Sequence, residues 1–124
     1  KANTDWKQTL GGEWRQYERT FPLLAASRIG GVSLECAASH VPISLIGLLG
    51  DKDILLGAID VASDRLETPA QVAAVIREAM THVPVERISP CTNCGMVPLS
   101  REVARGKLRA LAEGAALVRR ELTG

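Results

Sequence analysis

The chain has 124 residues, enough for one domain or part of one. Fifteen Lys and Arg stand against fourteen Asp and Glu, and a formal net charge of +1 leaves no electrostatic footprint for nucleic acid or an acidic membrane surface. Two Trp, one Tyr and one Phe are too few for a stacking platform for single strands, and the longest apolar run, 41–49, is broken by Pro42 and Gly47 and falls far short of a membrane span.

Trp6, Leu10, Trp14, Tyr17, Phe21 and Leu24 recur at three- and four-residue steps. That stripe predicts an amphipathic helix over 5–27, capped by Thr4 or Asp5, weakened at Gly11-Gly12 and disturbed at Pro22. Its aromatics read as core rather than as ligand-stacking groups. After the turn at Gly30-Gly31, the stretch 32–36 reads as a short strand, 37–40 as a small-residue loop and 41–49 as a short helix. The apolar run 53–61 has the character of a strand buried on both faces. Thr68 and Pro69 open the next helix as N-cap and first residue, with Val72, Val75, Ile76 and Ala79 facing the core. A short apolar lead, 85–90, delivers the loop Cys91-Thr92-Asn93-Cys94. Ser100 caps a last helix reaching Leu122, with Val103, Leu108, Leu111, Ala115 and Val118 on its apolar face.

This order predicts an α/β fold of parallel βα units joined by right-handed crossovers. Polar or reactive groups follow all three strands: Glu35 and Cys36, Asp60 and Ser63, Cys91 and Cys94. Parallel strands bring such groups to one rim, where folds of this class carry their sites. Three strands do not close a barrel.

Thiols and a carboxylate at strand ends are the donor types of a zinc site. Each residue also has a plainer reading. Cys36 follows Glu35, points to the opposite face and reads as core. A lone Cys-x-x-Cys lacks the second pair of a zinc ribbon, so Cys91 and Cys94 also read as loop thiols. Glu35 reads alternatively as a carboxylate held by an arginine or backbone amides, and Asp60 and Ser63 as caps of their own loop. His40 and His82 read as surface residues. Arg101, Arg105, Lys107, Arg109, Arg119 and Arg120, interspersed with glutamates, read as a solvated helix face. A rival of another class is a non-catalytic zinc-binding module built from Cys36, His40, Cys91 and Cys94. The polar start at Lys1 and the three cysteines predict a cytoplasmic, reducing setting.

Three segments, taken in order, resemble one known family. Val32-Ser33-Leu34-Glu35, then Gly57-Ala58-Ile59-Asp60-Val61-Ala62-Ser63-Asp64-Arg65 with the helix start Glu67-Thr68-Pro69, then Asn93-Cys94-Gly95-Met96 are similar to the C-terminal catalytic barrel of cobalamin-independent methionine synthases. The resemblance runs over about 6–122. It implies that 1–124 is the C-terminal part of one barrel domain, the last three strands and helices of a TIM-type (β/α)8 barrel. It implies zinc-dependent transfer of a methyl or alkyl group to a small-molecule thiol, of the homocysteine S-methyltransferase type of methionine biosynthesis, zinc lowering the pKa of the bound thiol so that the thiolate exists at neutral pH. Carried over residue by residue, Glu35 and Cys94 stand at two zinc-ligand positions. Asp60 and Ser63, by their place on the same rim, are the candidate substrate-side groups.

The chain departs from the family pattern at three points. No His-x-Cys pair, the family's other two ligands, occurs in it. The resemblance therefore implies that the rest of the site comes from an upstream part of the barrel or another chain, and that these 124 residues alone are inactive. Ala62 stands at the family's proton-donor histidine, which opens the door to a relative alkylating a different thiol, of the epoxyalkane–coenzyme M transferase type. Cys91 replaces an asparagine and creates the Cys-x-x-Cys.

Overall fold

The three strands of the computed structural model, which describes residues 12–124, are Gly31–Glu35 (β1), Asp53–Ile59 (β2) and Ile88–Thr92 (β3). They lie in the order β1-β2-β3, and both pairs are parallel, as the alternation of strands and helices predicts. The connections are a 3-10 helix at Ile43–Leu49 between β1 and β2, and the α-helix Pro69–Met80 between β2 and β3. An α-helix at Tyr17–Ala25, here α1, precedes β1. With Pro69–Met80 as α2, the chain closes on α3, Arg101–Thr123.

The helices cover one face of the sheet. Ile54, Leu56 and Ala58 of β2 are buried there with Phe21, Val72 and Val118. Each large aliphatic or aromatic side chain so buried contributes roughly 1.5–3 kcal/mol. On the other face, β2 presents Leu55, which remains 42% exposed between the exposed Ser33 and Ser89 of its neighbours. The expected burial of β2 on both faces therefore holds only towards its C-terminal end, where Gly57 and Ile59 are buried. Nothing among the described residues covers the Leu55 end of that face.

Local chemistry explains the helix starts. Thr68 accepts from the Gln71 amide at 3.2 Å while the Gln71 side chain accepts from the Thr68 amide at 2.9 Å, a reciprocal box, with Pro69 in the first turn. Ser100 accepts from the Val103 amide at 3.2 Å.

Several expected boundaries shift. The first helix begins only at Tyr17. Gly12–Gln16 is bend and turn, and the caps and stripe residues expected at Thr4, Asp5, Trp6 and Leu10 lie outside the described residues. The lead into the cysteines is a 3-10 turn at Val85–Arg87, and β3 runs through Thr92, so Cys91 is a strand residue rather than a loop one. The buried stripe of α3 passes through Lys107, Ala110, Gly114 and Val118, whereas Leu108 is 46% exposed. Lys107, expected in the solvated face, is 0% exposed. A buried ion pair overrides its hydropathy: its ammonium donates to Glu67 at 2.9 Å and to the Arg65 carbonyl at 2.6 Å.

Candidate functional site

The register of the sheet places three residues on one rung. Glu35 pairs with Gly57, and Gly57 pairs with Cys91. Side chains on one rung of a parallel sheet share a face, so Glu35 and Cys91 flank a position without a side chain. Glu35 ends β1 and is exposed, and its carboxylate enters no hydrogen bond or ion pair among the described residues. Neither an arginine nor a backbone amide holds it. Cys94 lies two residues beyond β3, also exposed, in a loop shaped by the Thr92 hydroxyl donating to the Cys94 carbonyl at 2.9 Å.

Asn93 ties these two strand ends together. Its Nδ2 donates to the Ala37 carbonyl at 2.8 Å, and its Oδ1 accepts from the Ala37 amide at 3.3 Å. The backbone reinforces the junction: the Cys36 and Ala37 amides both donate to the Gly57 carbonyl, at 3.0 and 2.7 Å, and the Asn93 amide donates to the Ile59 carbonyl at 2.9 Å. Sequence reasoning passed over Asn93. Its signal was there, in a two-ended amide beside a candidate ligand, but its partner lies 56 residues away.

The loop after β2 is organised from below. Glu67 accepts from the Asp60 amide at 2.9 Å with one oxygen and from buried Lys107 with the other. The Asp60 carboxylate accepts from the Ala62 amide at 2.9 Å, and the Ser63 hydroxyl from the Arg65 amide at 3.1 Å. Both expected substrate-side residues thus serve as turn caps and keep further acceptor capacity. A cleft of about 140 Å³ is lined by Ala38, Ala58, Asp60, Arg65 and Glu67. A larger one of about 340 Å³ runs beside β1, between Trp14, Tyr17, Ser33, Glu35 and Cys36.

The three cysteines are free and differ in character. Cys36 packs against the core, and burial, with lesser contributions from Cys91 and Glu78, pushes its thiol up to about 12. Burial also raises Cys91, against the lowering effect of a hydrogen bond with Ser33. His40 is exposed, its ring stacked on Trp14 at 5.1 Å and its Nδ1 3.2 Å from the Gly12 carbonyl. His82 is exposed at the end of α2. Among the described residues no three His, Cys, Asp or Glu side chains form a group able to hold a metal ion. The four-ligand module of Cys36, His40, Cys91 and Cys94 is therefore not assembled. Glu35 and Cys94 offer an oxygen and a sulfur at the same end of the sheet, which fits part of a four-coordinate zinc site and no more.

The chain is similar to known proteins over most of its length. The family model described as the catalytic domain of cobalamin-independent synthase matches residues 16–117. A methionine synthase of Saccharolobus solfataricus is 35% identical over 85 residues, covering 68% of this chain and 26% of that protein. A 2-hydroxypropyl-CoM lyase of Xanthobacter autotrophicus is 46% identical over 66 residues, covering 53% of this chain and 18% of that protein. Among solved structures, a B12-independent methionine synthase from Shewanella sp. W3-18-1, in complex with selenomethionine, matches with a TM-score of 0.92 and 56% identity, covering 99% of this chain and 36% of that one. The chain thus spans between about a fifth and a little over a third of these relatives.

Proposed function

The chain belongs to the cobalamin-independent methionine synthase family, and from that premise we propose that it supplies part of a zinc centre that transfers a methyl or alkyl group to a small-molecule thiol. In this reading residues 1–124 are the C-terminal part of one barrel domain, and Glu35 and Cys94 are two of the zinc ligands. The observation that carries it is their placement. Both stand exposed at the C-terminal ends of the two outer strands, β1 and β3, of one parallel sheet, with their loops joined through Asn93 and Ala37.

Zinc, when bound, supplies a depressed thiol pKa, so that the acceptor is a thiolate at neutral pH. The carbon–sulfur bond forms as the donor's bond to its methyl or alkyl carbon breaks, and the departing group carries away the electron pair. Asp60 and Ser63, fixed by their turn bonds, orient the substrates from the β2 rim. Ala62 has no proton to give, so this loop provides no general acid to the leaving group there. The remaining ligands come from an upstream part of the barrel or another chain, and the 124 residues alone are inactive. A reducing cytoplasm keeps the Cys94 thiol available as a ligand.

A second reading concerns the substrate pair. Ala62 and the similarity to a 2-hydroxypropyl-CoM lyase favour an alkyl donor and a thiol other than homocysteine. The test of the main reading uses the protein with its upstream His-x-Cys segment present. Glu35→Ala and Cys94→Ser each remove zinc and thiol alkylation together. Full zinc and turnover in both variants would exclude these residues as ligands. Comparing homocysteine with coenzyme M as acceptor then separates the two substrate readings.

A further inference from the structure

We propose that Asn93 is a positioning residue whose carboxamide, seated over Gly57, fixes the spacing between Glu35 and Cys94 that lets both reach one metal ion. The inference rests on the metal reading above and adds a residue that is not itself a ligand. Both ends of the Asn93 amide are committed to Ala37, at 2.8 and 3.3 Å. Asn93 immediately precedes Cys94, and Ala37 lies two residues past Glu35. The clamp therefore spans the gap between the two donors without touching a metal. Its seat is shaped for it. A Cβ at Gly57 would lie 2.4 Å from Asn93 Oδ1 and 2.6 Å from the Leu34 carbonyl oxygen, so any side chain at 57 displaces the amide or the strand. Gly57 is also the middle of the rung from Glu35 to Cys91, so its bareness leaves room for the Asn93 amide between the two outer strands.

Ligand orientation by outer hydrogen bonds is worth about tenfold to a hundredfold in metal affinity. Leucine at 93 keeps the volume and loses both bonds. Aspartate keeps the acceptor half and loses the donor to the Ala37 carbonyl.

The test titrates Co2+ into the protein with an upstream His-x-Cys segment present and follows the thiolate-to-cobalt charge-transfer band, with circular dichroism and thermal unfolding on each variant. Glu35→Ala and Cys94→Ser lose or strongly weaken the band. Asn93→Leu weakens binding by about tenfold or more and alters the band, and Asn93→Asp falls between it and the parent. Lowered thermal stability in Asn93→Leu with unchanged cobalt affinity and spectrum overturns the positioning role, while loss of binding in the two ligand variants leaves the metal reading standing. No cobalt band in the parent, or ligand variants that bind like it, overturns both. If Asn93→Leu does not fold, Asn93→Asp decides alone: cobalt binding equal to the parent's overturns the proposal.

Discussion

At the scale of single residues, the cysteines divide by environment. Cys36 has its thiol pushed from the ordinary 9.0 up to about 12 because its thiolate would sit among core side chains. A raised folded-state value means that the folded chain holds its proton after the unfolded chain has lost it. The associated stability is complete below pH 9 and drains away as pH rises from about 9 to about 12. Urea unfolding at pH 8 and pH 10.5 checks this: Cys36→Ala loses less stability between the two than the parent does. Reactivity follows the same logic. At pH 8, iodoacetamide labels exposed Cys94 first and Cys36 last, as peptide mapping of a time course will show.

At the scale of elements, α3 is anchored by one buried ion pair, Lys107 with Glu67, and by a close approach at Gly114. Breaking a buried pair strands the remaining charge, so Lys107→Met is expected to cost about 3–5 kcal/mol in chemical denaturation. Adding Glu67→Gln restores part of that, because the amide oxygen still accepts from the Asp60 amide while the charge is gone. The two inward glycines of α3 are expected to differ in sign. At Gly114 a Cβ would sit 2.6 Å from the Val72 Cβ and 2.8 Å from the Pro69 carbonyl oxygen. Overpacking costs of about 1–3 kcal/mol exceed the roughly 1 kcal/mol that alanine gains in a helix, so Gly114→Ala destabilises. At Gly106 the obstacle is the tip of Leu66, at 2.9 Å, and that side chain is 50% exposed and free to swing away. Gly106→Ala is expected to be neutral or stabilising by up to about 1 kcal/mol.

The same elements show what was legible in the chain. The strands, the Thr68 and Ser100 caps and the parallel order follow from local signals: apolar runs, capping residues and Pro69. The placement of Glu35 and Cys94 at strand ends was legible because each lies within a recognisable segment. Lys107 was not, since a basic residue on a charged helix looks solvated until its partner 40 residues earlier is known. Asn93 and Gly57 were missed for the same reason: their meaning lies in a contact across the sheet. Leu108 misled because hydropathy at one position cannot say which side of a long helix meets its neighbour.

At the scale of the whole molecule, the covered sheet face and the open one describe a piece of a larger arrangement. The matched structure, similar along 99% of this chain, is nearly three times as long. The central claim is that this chain contributes Glu35 and Cys94 to a zinc centre completed elsewhere in the barrel. Zinc per chain, by elemental analysis of the purified 124-residue chain beside the same chain with an upstream His-x-Cys segment restored, tests it most directly. The account predicts well under one zinc in the short form and about one in the restored form, lost again on Cys94→Ser. About one tightly held zinc in the short form would contradict it, showing a complete ligand set within these residues.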